Sequence, residues 1–357
     1  MIKKIDLLRG FFYCSLLVLG FTACEEDDFI PAPEPVIPGS HGVFVLSEGS
    51  WGGNNAGVSY HNFETGNTTA DILGGKLGDT GQDMIAYGSK LYISVNQSGY
   101  IKVVDLYSQA PIDSIGLNKD GKTLQPRYFT SYEGKIYVTT QSATEGNVVR
   151  IDTTNLRAEA IAQVGLFPEG IAAVNGKLYV ANGGQGAGNT LSIVDIAQFK
   201  QENTIAVGLN PYIVRADKYG DLYLSYQGNF SDNIGGLQRI DTKTNTVTNI
   251  TIPANRNFTI VDDLLYYFGI TYNPDYSANC SFGVYNVKTE TPTSDPVISD
   301  GTKISIAYGI GVNPLTKDVY ISDTDYVSPG IISVFGPDGK KKETFRVGVS
   351  ANNFVFN

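Results

Sequence analysis

The sequence predicts an all-β fold: a seven-bladed β-propeller of four-stranded antiparallel blades, closed by the C-terminal strand joining the first blade. Three observations predict it. A Leu-Tyr-Val type run recurs seven times at a spacing of about 45 residues. Forty Gly and 22 Tyr in 357 residues suit many short strands joined by tight turns. The two ends of the repeat array are incomplete in complementary ways.

In chain order, Lys3, Lys4 and Arg9 precede an apolar run from Phe11 to Leu19, which Gly20-Phe21-Thr22-Ala23-Cys24 closes. A basic start, a short apolar stretch and small residues before a break describe a secretory signal peptide over 1–23, too short for a transmembrane helix. Cys24 after Thr-Ala resembles a bacterial lipobox, which implies lipid on its sulfur and cleavage before it. Glu25-Glu26-Asp27-Asp28 is similar to the surface-export tag of some Gram-negative lipoproteins. Pro31, Pro33, Pro35 and Pro38 make 24–41 an extended tether. Cleavage leaves Cys280 as the one thiol of the mature chain, so no internal disulfide is possible.

The repeat is clearest as Lys177-Leu178-Tyr179-Val180-Ala181-Asn182 followed by Leu191-Ser192-Ile193-Val194-Asp195. Copies are Leu91-Tyr92-Ile93 with Val104-Asp105, Ile136-Tyr137-Val138 with Ile151-Asp152, and Leu222-Tyr223-Leu224 with Ile240-Asp241. Looser copies are Leu265-Tyr266-Tyr267 with Tyr285-Asn286, Val319-Tyr320-Ile321 with Val334-Phe335, and Val43-Phe44-Val45 with Ser59-Tyr60. Apolar and polar residues alternate at strand period. The unit reads strand A (168–172), B (177–182), C (190–195) and D (204–207). Val43 opens directly on a B strand, and Ser350–Phe356 reads as an A strand with nothing after it, so the propeller spans 42–357 and closes on itself.

Strands B and D run the same way, so the B–C loops and D–A crossovers share a face. Its B–C loops carry amides beside aromatics: Trp51 with Asn54 and Asn55, then Tyr100, Tyr226, Tyr276 and Tyr326. Aligning the A strands on the Pro of blades three to five places Asp83, Arg127, Glu169, Tyr212, Asn257, Tyr308 and Asn352 around the channel mouth, with Tyr128 beside Arg127. Such a face suits a large, polar, partly flat organic ligand. Alanine at Tyr212, Arg127 or Trp51 is expected to weaken binding and spare the melting temperature. Interactions between neighbouring blades would explain the same side chains.

No catalytic or metal site is expected. His61 falls in a C strand and His41 before the first strand, so neither meets a nucleophile at the mouth. Asp83 and Glu169 flank Arg127 in blade order, as a salt bridge would also require. Asp323-Thr324-Asp325 puts two acids in one loop, a pattern calcium uses, with no further ligand beside it. The net charge of −10 argues against nucleic acid as a partner.

Leu178-Tyr179-Val180-Ala181-Asn182 resembles the YVTN repeat family of bacterial surface propellers. The opening Glu48-Gly49-Ser50-Trp51-Gly52-Gly53-Asn54-Asn55, with the lipobox, acidic tag and seven repeats, makes 24–357 similar to the BtuG-type surface lipoproteins. That resemblance implies an outer-membrane, lipid-anchored receptor that binds cobalamin and passes it to a BtuB-like TonB-dependent transporter. It implies a bound ligand and no catalytic cofactor. No His maps to the mouth, so the protein is not expected to ligate cobalt. A glycan-binding lipoprotein of another uptake system and a protein-interaction scaffold are the alternatives.

Overall fold

Each Leu-Tyr-Val run lies in the second strand of its sheet and is buried on both faces, because a propeller blade packs a neighbour on either side. The computed structural model describes residues 40–142, 144–229, 235–273, 275 and 277–357. The signal segment, Cys24 and Tyr276 therefore lie outside the described residues. Seven four-stranded antiparallel sheets follow in chain order. Their innermost strands start the blades: Gly81–Tyr87, Gln125–Tyr132, Pro168–Val174, Pro211–Ala216, Phe258–Val261 and Ala307–Val312 for blades two to seven. Blade one takes its innermost strand from the chain's end: Ala351–Phe356 pairs antiparallel with Gly42–Ser47. Each innermost strand touches the next, from blade one round to blade seven and back, so the ring closes. Blade four has B and C strands at Lys177–Asn182 and Thr190–Asp195, as the repeat predicts, and its outer strand begins earlier, at Lys200.

The core lies between the blades. The aromatic of each B strand leaves its own blade for the next one's layer: Tyr92 packs with Phe129, Ile136 and Val138 of blade three, and Tyr179 with Val214 and Leu222 of blade five. Tyr320 of blade seven packs on Val43, Val45 and Ala351 of blade one, so an apolar layer closes the join as it does the other blade interfaces. Burying one such side chain contributes about 1.5–3 kcal/mol. Outer strands are largely exposed and charged, as in Lys200–Ala206 and Lys341–Arg346, which discourages edge pairing.

The repeated Asp that ends strand C is a turn device. Oδ1 of Asp105, Asp152 and Asp241 each accepts two backbone N–H groups of the following C–D turn, and Asn286 does the same in blade six.

Two further regularities build the channel end. Thr80, Phe167, Asn210 and Ser350 precede their innermost strands in the left-handed region. Their carbonyls accept N–H bonds from the B–C loops at Asn96, Gly183, Gln227 and Glu48, at 2.8–3.0 Å. B–C loops and D–A corners are thereby tied together on one face. Just inside that corner the innermost strands of every blade but blade six carry a β-bulge. A buried hydroxyl two residues past the B-strand Tyr fills several bulges. Ser94, Thr139 and Ser322 accept the bulge N–H and donate to the next blade's carbonyl at Arg127, Glu169 and Ala351. In blade four the bulge residue is Gly170, where a Cβ would lie 2.6 Å from the Tyr212 carbonyl oxygen.

Candidate functional site

A bulge turns two consecutive side chains toward the channel where a regular strand would send one. Gln82 and Asp83, Arg127 and Tyr128, and Asn352 and Asn353 are such pairs. This corrects the strand alignment in blade two, where Gln82 is the counterpart of Arg127, Glu169, Tyr212, Tyr308 and Asn352. Asp83 lies one step deeper, level with Asn353, whose amide donates to it.

The mouth opens into a cavity of about 320 Å³. Asp83, Tyr128, Tyr212, Asn257, Tyr308, Tyr326 and Asn352 line it, as expected, with Glu48, Gln82, Arg215, Gln227, Arg256, Tyr272 and Asn353. Phe268 and Ile270 add an apolar patch. Most of the wall comes from blades five to seven. Asp83, Arg215, Asn257, Asn352 and Asn353 also line a second cavity of about 230 Å³, so they form the waist between the two.

Hydrogen bonds close the opposite side. Arg127 ion-pairs with Glu169 through Nε (3.1 Å) and Nη2, and Nη1 donates to Gln82 Oε1 at 2.8 Å. Gln82 Nε2 donates to the Tyr128 hydroxyl at 3.1 Å, which donates to Tyr212 at 2.7 Å. The salt bridge is thus the one between Arg127 and Glu169, and Asp83 stands outside it. A second set holds Glu48, whose oxygens accept from the Tyr308 hydroxyl (2.6 Å) and Asn352 Nδ2 (3.0 Å). Asn352 Nδ2 also reaches the carbonyls of Gly81 and Gln82. The alanine expectation is therefore revised for Arg127, which bonds the blades on either side, and for Tyr212, which bonds Tyr128 two blades away: truncation costs stability as well as any contact with ligand.

Burial raises the carboxyls of Glu48 and Glu169 above their ordinary range, with Tyr308 and Asn352 opposing it at Glu48 and Arg127 at Glu169. Burial pushes the Tyr212 and Tyr326 hydroxyls up to about 12, so both are neutral donors at physiological pH. Burial raises Asp83 to about 6, against the Phe129 N–H bond (2.8 Å) and the charge of Arg215. A carboxyl raised from 3.8 binds its proton more tightly folded than unfolded. Its contribution to stability is fully present below about pH 4 and declines as pH rises to about 6, by roughly 3 kcal/mol. Urea midpoints from pH 4 to 7 should fall accordingly, and Asp83→Asn should flatten that part of the profile. A variant with the wild-type slope would show that Asp83 does not titrate there.

The remaining sequence candidates lie elsewhere. Trp51, Asn54 and Asn55 sit on the exposed blade-one loop that begins at Glu48; Trp51 is 78% exposed, and Asn55 Oδ1 caps the Ser50 N–H. Tyr100 bonds the Leu77 carbonyl and packs on the layer between blades one and two. The Tyr226 ring covers Gly208 and Gly236. His61 is buried and stacked on Phe345 at 4.2 Å, away from the mouth, and burial lowers its pKa. Cys280 is half-buried and accepts the Ala307 N–H, and burial pushes its thiol up. Asp323 accepts N–H bonds from Ser305 and Ile306, and Asp325 from Val327 and Ser328, so both acids serve turns. Glu48, Gln82, Arg215, Arg256 and Asn353 went unassigned in the sequence. Allowing a bulge after the A-strand Gly, Pro or Ala would have found Gln82 and Asn353, whereas nothing in the repeat marks Arg215 or Arg256.

Residues 41–339 match the family model described as "Domain of unknown function (DUF5074)". No curated protein matches the chain. Among solved structures it is similar to a functionally unknown protein from Desulfotomaculum acetoxidans DSM 771, at 13% identity and TM-score 0.61, covering 88% of this chain and 98% of that one. Kuenenia stuttgartiensis hydrazine synthase matches at 16% identity and TM-score 0.59, over 70% of this chain and 74% of that one. Apo AztD from Citrobacter koseri matches at 12% identity and TM-score 0.52, over 88% and 96%. At these identities the likeness shows the propeller fold alone.

Proposed function

This chain belongs to the DUF5074 family, and we propose that it is a lipid-anchored cell-surface receptor that binds cobalamin and delivers it to a TonB-dependent outer-membrane transporter. The observation that carries the binding reading is a polar cavity with exposed aromatics, Tyr272 and Tyr326, in its wall. Tyr272, at the end of the blade-six B strand, is 43% exposed and Tyr326, on the blade-seven B–C loop, 45%; Trp51, on the blade-one B–C loop outside the cavity, is 78% exposed. Aromatic side chains left in water beside a concave polar site are characteristic of binding surfaces. A corrinoid is broader than the cavity, so its ring lies across the rim and one appendage descends. The lipobox, acidic tag and tether support the surface anchor.

Binding proceeds without chemistry. In favour of this, both oxygens of Glu48 and of Asp83 already accept fixed donors, and Glu169 is committed to Arg127. Neither His61 nor Cys280 lines the mouth cavity.

Calorimetric titration of residues 25–357 with cyanocobalamin tests the reading. One-to-one binding is expected, and no heat at high protein concentration would overturn the corrinoid assignment and turn the search to glycans. Trp51→Ala should weaken binding about tenfold or more, the worth of a stacked aromatic anchor. Its melting temperature should not move, because the ring lies mostly in water.

A further inference from the structure

Resting on this binding reading, we propose that the mouth cavity is an anion subsite, in which Arg215 and Arg256 clasp a phosphate or carboxylate group of the ligand. The arginines of the described propeller fall into three kinds. Arg127, Arg150 and Arg239 pair with Glu169, Glu159 and Asp221. Arg157 and Arg346 are exposed to water. Arg215 and Arg256 are half-buried, line the same cavity and, among the described residues, have no carboxylate in ion-pair contact.

Their hydrogen-bonding capacity is largely unspent. Arg215 uses Nε on the Phe258 carbonyl at 2.8 Å, and Arg256 makes no hydrogen bond among the described residues. A guanidinium carries five donors and no acceptor, so what remains can be satisfied only by acceptors. The cavity's own carboxylates are not in ion-pair contact with either arginine among the described residues, and each oxygen of Glu48 and Asp83 already accepts one donor. Withdrawing a cation from water without a partner is costly, and burial accordingly lowers the Arg215 pKa, with Asp83 compensating at longer range. A phosphate or carboxylate oxyanion between two guanidinium forks answers both the charge and the unspent donors. Tyr272 and Tyr326 at the rim flank the way in, so the anion belongs to a molecule with substantial apolar or flat surface.

The test uses the protein from residue 25 with arginine Nε labelled with nitrogen-15. Inorganic phosphate and acetate, added separately to tens of millimolar, should shift two Nε–H signals that Arg215→Gln and Arg256→Gln each remove. The anion giving the larger shift distinguishes phosphate from carboxylate, and no shift with either overturns the subsite. In parallel, cyanocobalamin is compared with cobinamide, which lacks the phosphate-linked nucleotide. Arg256→Gln, which breaks no hydrogen bond or ion pair among the described residues, should lose about ten- to a hundredfold affinity for cobalamin and leave cobinamide binding unchanged. Unaltered cobalamin affinity in both single variants also overturns the subsite. Arginine shifts with phosphate in a wild-type protein that ignores cobalamin would uphold the subsite and sink the corrinoid reading.

Discussion

A chain ending at Ser350 should lose its cooperative melt. The strand it lacks, Ala351–Phe356, is the innermost strand of blade one, and no later residue can replace it. Its removal strips one of the two backbone ladders from Gly42–Ser47 and uncovers the layer of Val43, Val45 and Tyr320, on which Phe354 and Phe356 pack. It also deletes Asn352, which ties Glu48 to the carbonyls of blade two. Ladder bonds contribute about 1 kcal/mol each and half-buried apolar side chains about as much. Together they approach the total stability of an ordinary domain, about 5–15 kcal/mol. Near-ultraviolet circular dichroism during heating reads the outcome. A permuted chain, with 351–357 moved ahead of His41 through a short linker, should melt close to wild type. Its new junction is short because the Asn357 carbonyl already accepts the His41 N–H at 2.8 Å. A sharp wild-type transition in the truncated chain would show that the ring does not depend on this strand.

Arg127→Ala should cost about 3–5 kcal/mol, because it leaves Glu169 buried with no cation beside it. Both side chains of the pair are about 15% exposed, so water screens little of the loss. Gln82 also loses the donor on its carbonyl oxygen. The defect has a pH signature. Burial already raises the Glu169 carboxyl, and without Arg127 the fold favours its protonated form still more. A carboxyl whose folded pKa is raised costs stability as pH rises through that value, so the variant should be worst at neutral pH and recover toward pH 4. Replacing both partners, Arg127→Met with Glu169→Gln, should cost less than Arg127→Ala alone. Urea unfolding of the three proteins at pH 4 and 7 measures this. Equal destabilisation at the two pH values would mean that lost packing, not a stranded charge, sets the cost.

Much of the architecture is legible in the sequence because a propeller is a local repeat. Tyr92, Tyr137, Tyr179, Tyr223 and Tyr320 mark the B strands, since each must leave its own blade for the next layer. Asp105, Asp152 and Asp241 mark the C–D turns, since their carboxylates hold two N–H groups within the turn itself. The opening on Val43 and the unmatched Ser350–Phe356 predict the closure, because blade one lacks the strand that the end supplies. These signals depend on neighbours within a few residues, or on a count of strands.

The mouth was legible only in part, because its geometry is made between blades. Tyr128, Tyr212, Asn257, Tyr308 and Asn352 reach the cavity as the A-strand alignment predicts, and Tyr326 as its B–C loop predicts. The bulges that move Gln82 up and Asp83 down need, besides a hydroxyl at a fixed place in the repeat, a carbonyl of the next blade, which the local pattern does not specify. Glu48 reaches the mouth because its N–H meets Ser350, 302 positions away in the chain. The same distance rule decides the charges. Sequence alone sets Arg127 between two acids in blade order and gives Arg215 and Arg256 no role. Only the closed ring gives Arg127 a carboxylate and leaves Arg215 and Arg256 at the cavity with donors unspent, because ion pairing depends on separations in space that seven blades must set together.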